Sequence, residues 1–307
     1  LWDAAGDQEG AIRIWLEAAR LRGERGYRTL AADLIAHAGS ELAMSRLELL
    51  GETAADSREK AALYTESARA AAIAGLRDEA FSLAERANAT DPKLTAALEI
   101  AEMVASSGDA MSALYDSAGR AALGRFGVRA AHHRGSRFFA RRGDGRLAMK
   151  HAAAAFRAVP SEHGTLPALL RAAALAVDTT PALDALADAA EAEHDGGAKG
   201  AWLLRAARLA AKGRGTDGLA LEYGLRAIHA APQPRVVGIL ARLVRKYVAD
   251  HPSESEFVEG RLRKSFDALC RHAEGPDGAR VLLGFVELDA SALRGARAWE
   301  GILAACA

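Results

Sequence analysis

The sequence predicts an all-α solenoid, and three observations carry that prediction. Half of the 307 residues are hydrophobic, only 6% are aromatic, and Ala, Leu, Arg and Glu outnumber the Val, Ile and Thr that strands favour. Three segments, 61–92, 129–160 and 201–232, align without a gap on their closing prolines, Pro92, Pro160 and Pro232. From Pro92 to Pro160 is 68 residues, or two periods of about 34, and a period of that size marks stacked two-helix units in place of one globular core.

Taken from the start, residues 1–21 (LWDAAGDQEGAIRIWLEAARL) put Gly6 and Ala11 at a turn and a packing position, so the chain opens at the close of a first helix. Neither this start nor the apolar finish GILAACA resembles a polar cap, so the chain reads as a piece of a longer protein. Residues 25–52 place Gly39 at the turn. The unit 61–92 is the clearest. Gly75 permits the positive φ that ends a first helix, Ala80 and Ala87 let a neighbouring helix approach, and Pro92 forbids continuation of the second. Residues 94–124 fit more loosely, with Gly108 at the turn and Ala113 at the packing position. Residues 129–160 repeat the scheme with Gly143, Ala148, Ala155 and Pro160; 166–195 replace the turn glycine by TTP at 179–181; 201–232 carry Gly215, Ala220, Ala227 and Pro232. The small eighth position is Ala68 and Ser136 but Arg208, so the last unit packs differently or Arg208 runs its stem through the seam. Beyond 232 the consensus fades into helices at 236–248, 255–270, 278–289 and 292–306. The organisation is therefore repeats over 1–232 and divergent repeats over 233–307, about nine helix pairs by length and period.

This pattern resembles the tetratricopeptide repeat. The resemblance implies antiparallel helix pairs in a right-handed superhelix, first helices lining a concave face and second helices outside. It departs at the fourth position, which is Tyr64, His132 and Leu204, only one of them aromatic. It assigns concave-facing places to His133, Arg137 and Arg141 in one unit and to Trp202, Arg205, Leu209 and Lys212 in another. Guanidinium groups bind carboxylates bidentately, so these places suit an acidic peptide or a chain-terminal carboxylate.

Lys plus Arg and Asp plus Glu both number 40, so charge-driven function requires local clustering. Residues 120–157 supply it: ten basic residues (Arg120, Arg125, Arg129, Arg134, Arg137, Arg141, Arg142, Arg146, Lys150 and Arg157) stand against one acid, Asp144. Downstream, 178–195 hold six acids and no Lys or Arg; Asp184, Asp188, Glu191 and Asp195 share a helical face that would neighbour Arg146, Lys150 and Arg157. Internal charge balance and a binding surface both stand as readings of the block.

Enzyme chemistry finds no support. KGRGTDG at 212–218 lacks the order and the preceding strand of a phosphate loop, and no GxSxG, HExxH or paired-acid motif occurs. His132, His133 and His151 could meet across a helix pair, but three histidines alone fall short of a metal centre with its outer hydrogen bonds, so neither metal nor cofactor is expected. Phe138 and Phe139 beside arginines suggest base stacking, yet Phe139 falls on a core position and a lone aromatic makes no platform. Cys270 and Cys306, about one period apart, should be free thiols on successive second helices. The longest apolar stretch, 167–177, is broken by an arginine and too short to span a membrane. No secretory pattern opens the chain, so the cytoplasm is the expected compartment. Three functions follow: a scaffold or adaptor for a partner protein or acidic peptide, a regulatory or sensor region of a larger protein, and, most weakly, nucleic-acid binding through 120–157.

Overall fold

The computed structural model describes residues 8–213, 216–270, 280–281 and 283–284. Among the described residues there are fifteen α-helices and no strand. They are α1 (Gln8–Arg22), α2 (Glu24–Ala38), α3 (Ser40–Thr53), α4 (Ser57–Ala74), α5 (Arg77–Thr90), α6 (Thr95–Val104), α7 (Gly108–Ala121) and α8 (Gly124–Arg141). There follow α9 (Gly145–Ala158), α10 (Thr165–Leu175), α11 (Thr180–Glu191), α12 (Gly196–Ala210), α13 (Asp217–Ala230), α14 (Pro234–Asp250) and α15 (Ser255–Cys270). No described helix is long and apolar enough to cross a membrane.

The chain divides into two compact units, 1–151 and 152–307, with the division inside α9. Within each, a helix packs chiefly on the next and the next but one: α2 on α3 and α4, α4 on α5 and α6, α13 on α14 and α15. Such nearest-neighbour packing is how repeat arrays build a core from elements that cannot bury a face alone. The predicted helices at 236–248 and 255–270 correspond to α14 and α15. Those at 278–289 and 292–306 lie almost wholly outside the described residues, as do Gly6, Gly215 and Cys306.

Two of the turn glycines, Gly75 and Gly143, do what the sequence asks of them. Gly75 sits at φ 81°, donating to the Ala72 carbonyl while Leu76 donates to that of Ala71. Gly143, at φ 74°, repeats the arrangement with Ala140 and Asp144 with Phe139. Both are Schellman closures, which satisfy the orphan carbonyls of a helix end and require the left-handed conformation. Pro92, Pro160 and Pro232 lie in the links after α5, α9 and α13. The alanines of the repeat, Ala80, Ala87, Ala148, Ala155, Ala220 and Ala227, are all buried.

Two positions differ from expectation. Gly108 opens α7 instead of forming a turn, because Ser107 caps that helix by accepting from the Ala110 amide at 3.3 Å. Ala113 is exposed, and Met111, Leu114, Tyr115 and Ala118 form the buried face of α7. In the 201–232 unit α12 ends at Ala210, whose carbonyl accepts from the Gly213 amide and the Thr216 hydroxyl. The gapless alignment slips there: Ala206, Ala207 and Ala210 fill the seam, Arg208 is exposed, and Lys212 falls beyond the helix end.

Glycine also acts inside helices, where a missing Cβ allows close contact. A Cβ on Gly26 of α2 would lie 2.4 Å from the Ala19 oxygen of α1, and one on Gly200 of α12 would lie 2.6 Å from the Ala231 Cβ.

Polar bridges about one period apart join α3 to α5 and each alternate helix from α7 to α15. Arg86 of α5 reaches back to Glu48 and Glu52 of α3. Arg146 and Lys150 of α9 pair with Asp109 and Asp116 of α7 at 2.7 and 2.6 Å. Arg157 of α9 meets Asp188 of α11 at 2.7 Å, Arg226 of α13 meets Glu191 of α11, and Arg261 of α15 meets Glu222 of α13. Exposed pairs stabilise by roughly 0–1 kcal/mol each, so their main consequence is register, not stability.

Candidate functional site

Helix α8 contains no acidic residue. Its inner side buries Gly135, Ser136, Phe138 and Phe139. Its solvent side exposes Phe126, Ala130, Arg137 and Arg141, which at 100° per residue fall on one face extending about 22 Å. Arg141 donates from Nε to the Arg137 carbonyl at 3.3 Å, which leaves the fork of its guanidinium toward solvent. His133 lies half-buried on the same side.

Nine of the ten residues of the basic block fall into two groups. Arg134, Arg142, Arg146, Lys150 and Arg157 are committed internally. Arg134 donates to Glu102 at 2.5 Å, and Arg142 donates to the Ala105 carbonyl at 3.2 and 3.3 Å with its guanidinium 5.0 Å from the Phe138 ring. Of the expected pairings with downstream acids, only Arg157 with Asp188 forms. Arg146 and Lys150 turn back to α7, and Glu191 is taken by Lys199 and Arg226. Arg120, Arg125, Arg137 and Arg141 make no ion pair among the described residues.

Sequence reasoning missed an apolar feature beside these arginines. Leu123 and Phe126 are 79% and 65% exposed, flanked by Arg120 and Arg125. The signal was present in RAALGRF, where two large apolar residues alternate with arginines at a helix junction. Phe138, by contrast, is buried and packs edge-on against Phe139 at 5.1 Å, so it offers no stacking surface.

Of the second expected group, Trp202 and Arg205 come together and Lys212 does not join them. Trp202 meets Phe156 edge-on at 5.4 Å and carries the Arg205 guanidinium over its ring at 4.4 Å, so both are half-buried packing partners. Lys212 is exposed in the link after α12, away from the helical face on which a longer helix would have put it.

Beneath α8 lies a polar cluster. His132 of α8 and His151 of α9 face each other with Nδ1 atoms 3.0 Å apart, and Asp116 of α7 completes the group, its Oδ1 3.9 Å from each. His133 was expected with them and stands on the next helical position instead. His151 is wholly buried between the Phe139 and Tyr115 rings, at 5.4 and 5.6 Å. Burial, then the neighbouring His132, pushes the His151 pKa down to about 4; burial lowers that of His132 too, against the opposing pull of Asp116. Lys150 is the other charged group facing the pair. Unfolded histidine takes up its proton near 6.5, so the unfolded chain binds more protons below that value. In chelator-containing buffer, stability is expected to be full above about pH 6.5 and to fall by on the order of 3 kcal/mol as pH drops toward 4. Urea midpoints from pH 7 to 5 test this, with His151→Gln flattening the slope.

These features define an all-helical repeat protein, its helices packed in neighbouring pairs, with an exposed basic face on α8. No protein family's sequence profile matches the chain, and no curated protein matches it. Among solved structures it is similar to one titled "Circular tandem repeat protein with novel repeat topology and enhanced subunit contact surfaces", at 14% identity and a TM-score of 0.18, over 88% of this chain and 63% of that one. The chain thus spans less than two thirds of that structure's length. The fold assignment rests on the helices and their packing.

Proposed function

We propose that the chain is a tetratricopeptide-type scaffold, a binding protein and not an enzyme, that holds an acidic, partly apolar segment of a partner protein along α8. The observation that carries this reading is the exposed face itself: Arg137 and Arg141 without acidic partners among the described residues, in line with an exposed Phe126, on a helix with no acid of its own. An uncompensated guanidinium pair offers bidentate sites for carboxylates, and an exposed aromatic three turns away offers an apolar anchor. The Schellman glycines and buried alanines support the repeat type. The nucleic-acid reading loses its stacking residues, since both Phe138 and Phe139 are buried.

A fluorescent peptide of interspersed glutamates and leucines, followed by anisotropy, tests the proposal. Charge reversal at both arginines, Arg137→Glu with Arg141→Glu, is expected to weaken binding at least about tenfold without changing the circular dichroism, a loss of about 1.4 kcal/mol. Equal binding by the double variant would remove α8 as the site. Stronger salt-dependent binding of single-stranded RNA than of the peptide would return the nucleic-acid reading.

A further inference from the structure

We propose that Asp116, His132 and His151 form a site for a borderline divalent transition-metal ion, with Zn²⁺ as the type. The argument begins with geometry. The ligand atoms form a triangle of sides 3.0, 3.9 and 3.9 Å. The point equidistant from its corners lies about 2.1 Å from each, the length of a bond from Zn²⁺ to imidazole nitrogen or carboxylate oxygen. Two imidazoles and one carboxylate also exclude Ca²⁺ and Mg²⁺, which take oxygen ligands, and favour the nitrogen-preferring ions of the later first row.

The surroundings orient each ligand as an outer shell does. His151 Nε2 lies 3.0 Å from the Ser112 hydroxyl, and with the ring proton on Nε2 and Ser112 as its acceptor the Nδ1 lone pair is left for the ion. Asp116 uses Oδ2 to accept from Lys150 at 2.6 Å, which keeps the ammonium on the far oxygen and presents Oδ1 to the two rings. Lys150 also donates to Ser112 at 2.9 Å, tying the two supports together. Glycines clear the space: a Cβ on Gly119 would lie 2.7 Å from His132 Nε2, and one on Gly135 would lie 3.1 Å from His151 Cγ. His151 has no exposed side-chain surface, whereas His132 and Asp116 retain 12% and 26%, so an ion reaches the site from the Asp116 side. Three protein ligands leave a further position for water on that side, toward which a tetrahedral ion would sit once the ligand atoms draw in slightly. The ion would join α7, α8 and α9 at one point, a cross-link independent of the α8 solvent face.

The full chain, stripped with a chelator and dialysed, is titrated with Zn²⁺ against a chromophoric competitor, and separately with Co²⁺ while its visible absorption is recorded. One equivalent is expected to bind, with the ligand-field bands of a four-coordinate Co²⁺ complex and a rise in thermal midpoint on Zn²⁺ addition. His151 is a core residue, so the partly exposed positions carry the test. His132→Ala and Asp116→Asn, with circular dichroism showing an intact fold, are each expected to weaken binding at least tenfold and to abolish the cobalt bands. Absence of a stoichiometric ion at neutral pH overturns the proposal. So does equal binding by both variants, which would place the ion on other histidines.

Discussion

Tyr115→Ala is expected to lower the stability of the 1–151 unit by about 3–5 kcal/mol, the cost of deleting a large buried aromatic and leaving a cavity. Tyr115 is wholly buried, within 6.1 Å of the Phe138 and Phe139 rings and 5.6 Å of His151, so α7, α8 and α9 all lose contacts. Its hydroxyl donates to Glu102 of α6, which also accepts from Arg134 of α8; burial and that carboxylate hold the phenol well above the tyrosine range. Tyr115→Phe separates the two contributions. It keeps the ring and removes one hydrogen bond, so a loss of about 1–2 kcal/mol is expected, chiefly ring packing being spared. Urea unfolding followed by circular dichroism measures both. Equal losses from the two variants would mean that the Glu102 bridge, and not the ring, holds these helices together.

Gly26→Leu is expected to undock α1. A Cβ at this position would meet the main chain of Ala19, at 2.4 Å from its oxygen and 2.6 Å from its Cα, and main chain cannot rotate away as a side chain can. Alanine here would gain about 1 kcal/mol of helix propensity but lose about 1–3 kcal/mol or more to overpacking, and leucine adds further bulk. The cheapest relief is release of α1, which carries Ile12, Trp15, Leu16 and Ala19 off the cluster around Leu30 and Leu34 and breaks the 2.8 Å bridge from Arg20 to Glu59. Hydrogen exchange should show lost protection across 8–22 and retained protection in α4–α8. Retained protection in α1 would show that the two helices do not cross at this glycine.

The legible parts of the structure are those a residue decides by itself. A glycine that must take positive φ, as at 75 and 143, and an alanine that must be small, as at 80 or 148, carry their requirement wherever the partner comes from. Relations between segments were harder. At Arg208 the first of the two alternatives holds, a unit that packs differently, whereas Lys212 falls off the helix because α12 ends early and an alignment does not show where a link lengthens. Arg146 and Lys150 were matched to acids downstream, although Asp109 and Asp116 stand one period upstream and are geometrically equivalent candidates. Asp116 escaped the histidine argument for the same reason: it lies 16 positions from His132 and 35 from His151, spacings that acquire meaning only once the repeat is used to overlay α7 on α9. Leu123 and Phe126 were overlooked because an exposed apolar residue and a core residue look alike until a neighbour is or is not found.

The bridges between alternate helices have a consequence for how the chain acquires its fold. From Arg157 with Asp188 to Arg261 with Glu222, the partners are 31 to 39 residues apart. Contact order is therefore low for a chain of this length, and the entropy of closing a loop is met repeatedly in equal, modest instalments, never once across the whole sequence. Each helix pair can dock as soon as the following forty or so residues have left the ribosome, so the array is suited to folding from its N-terminal end while translation is still under way.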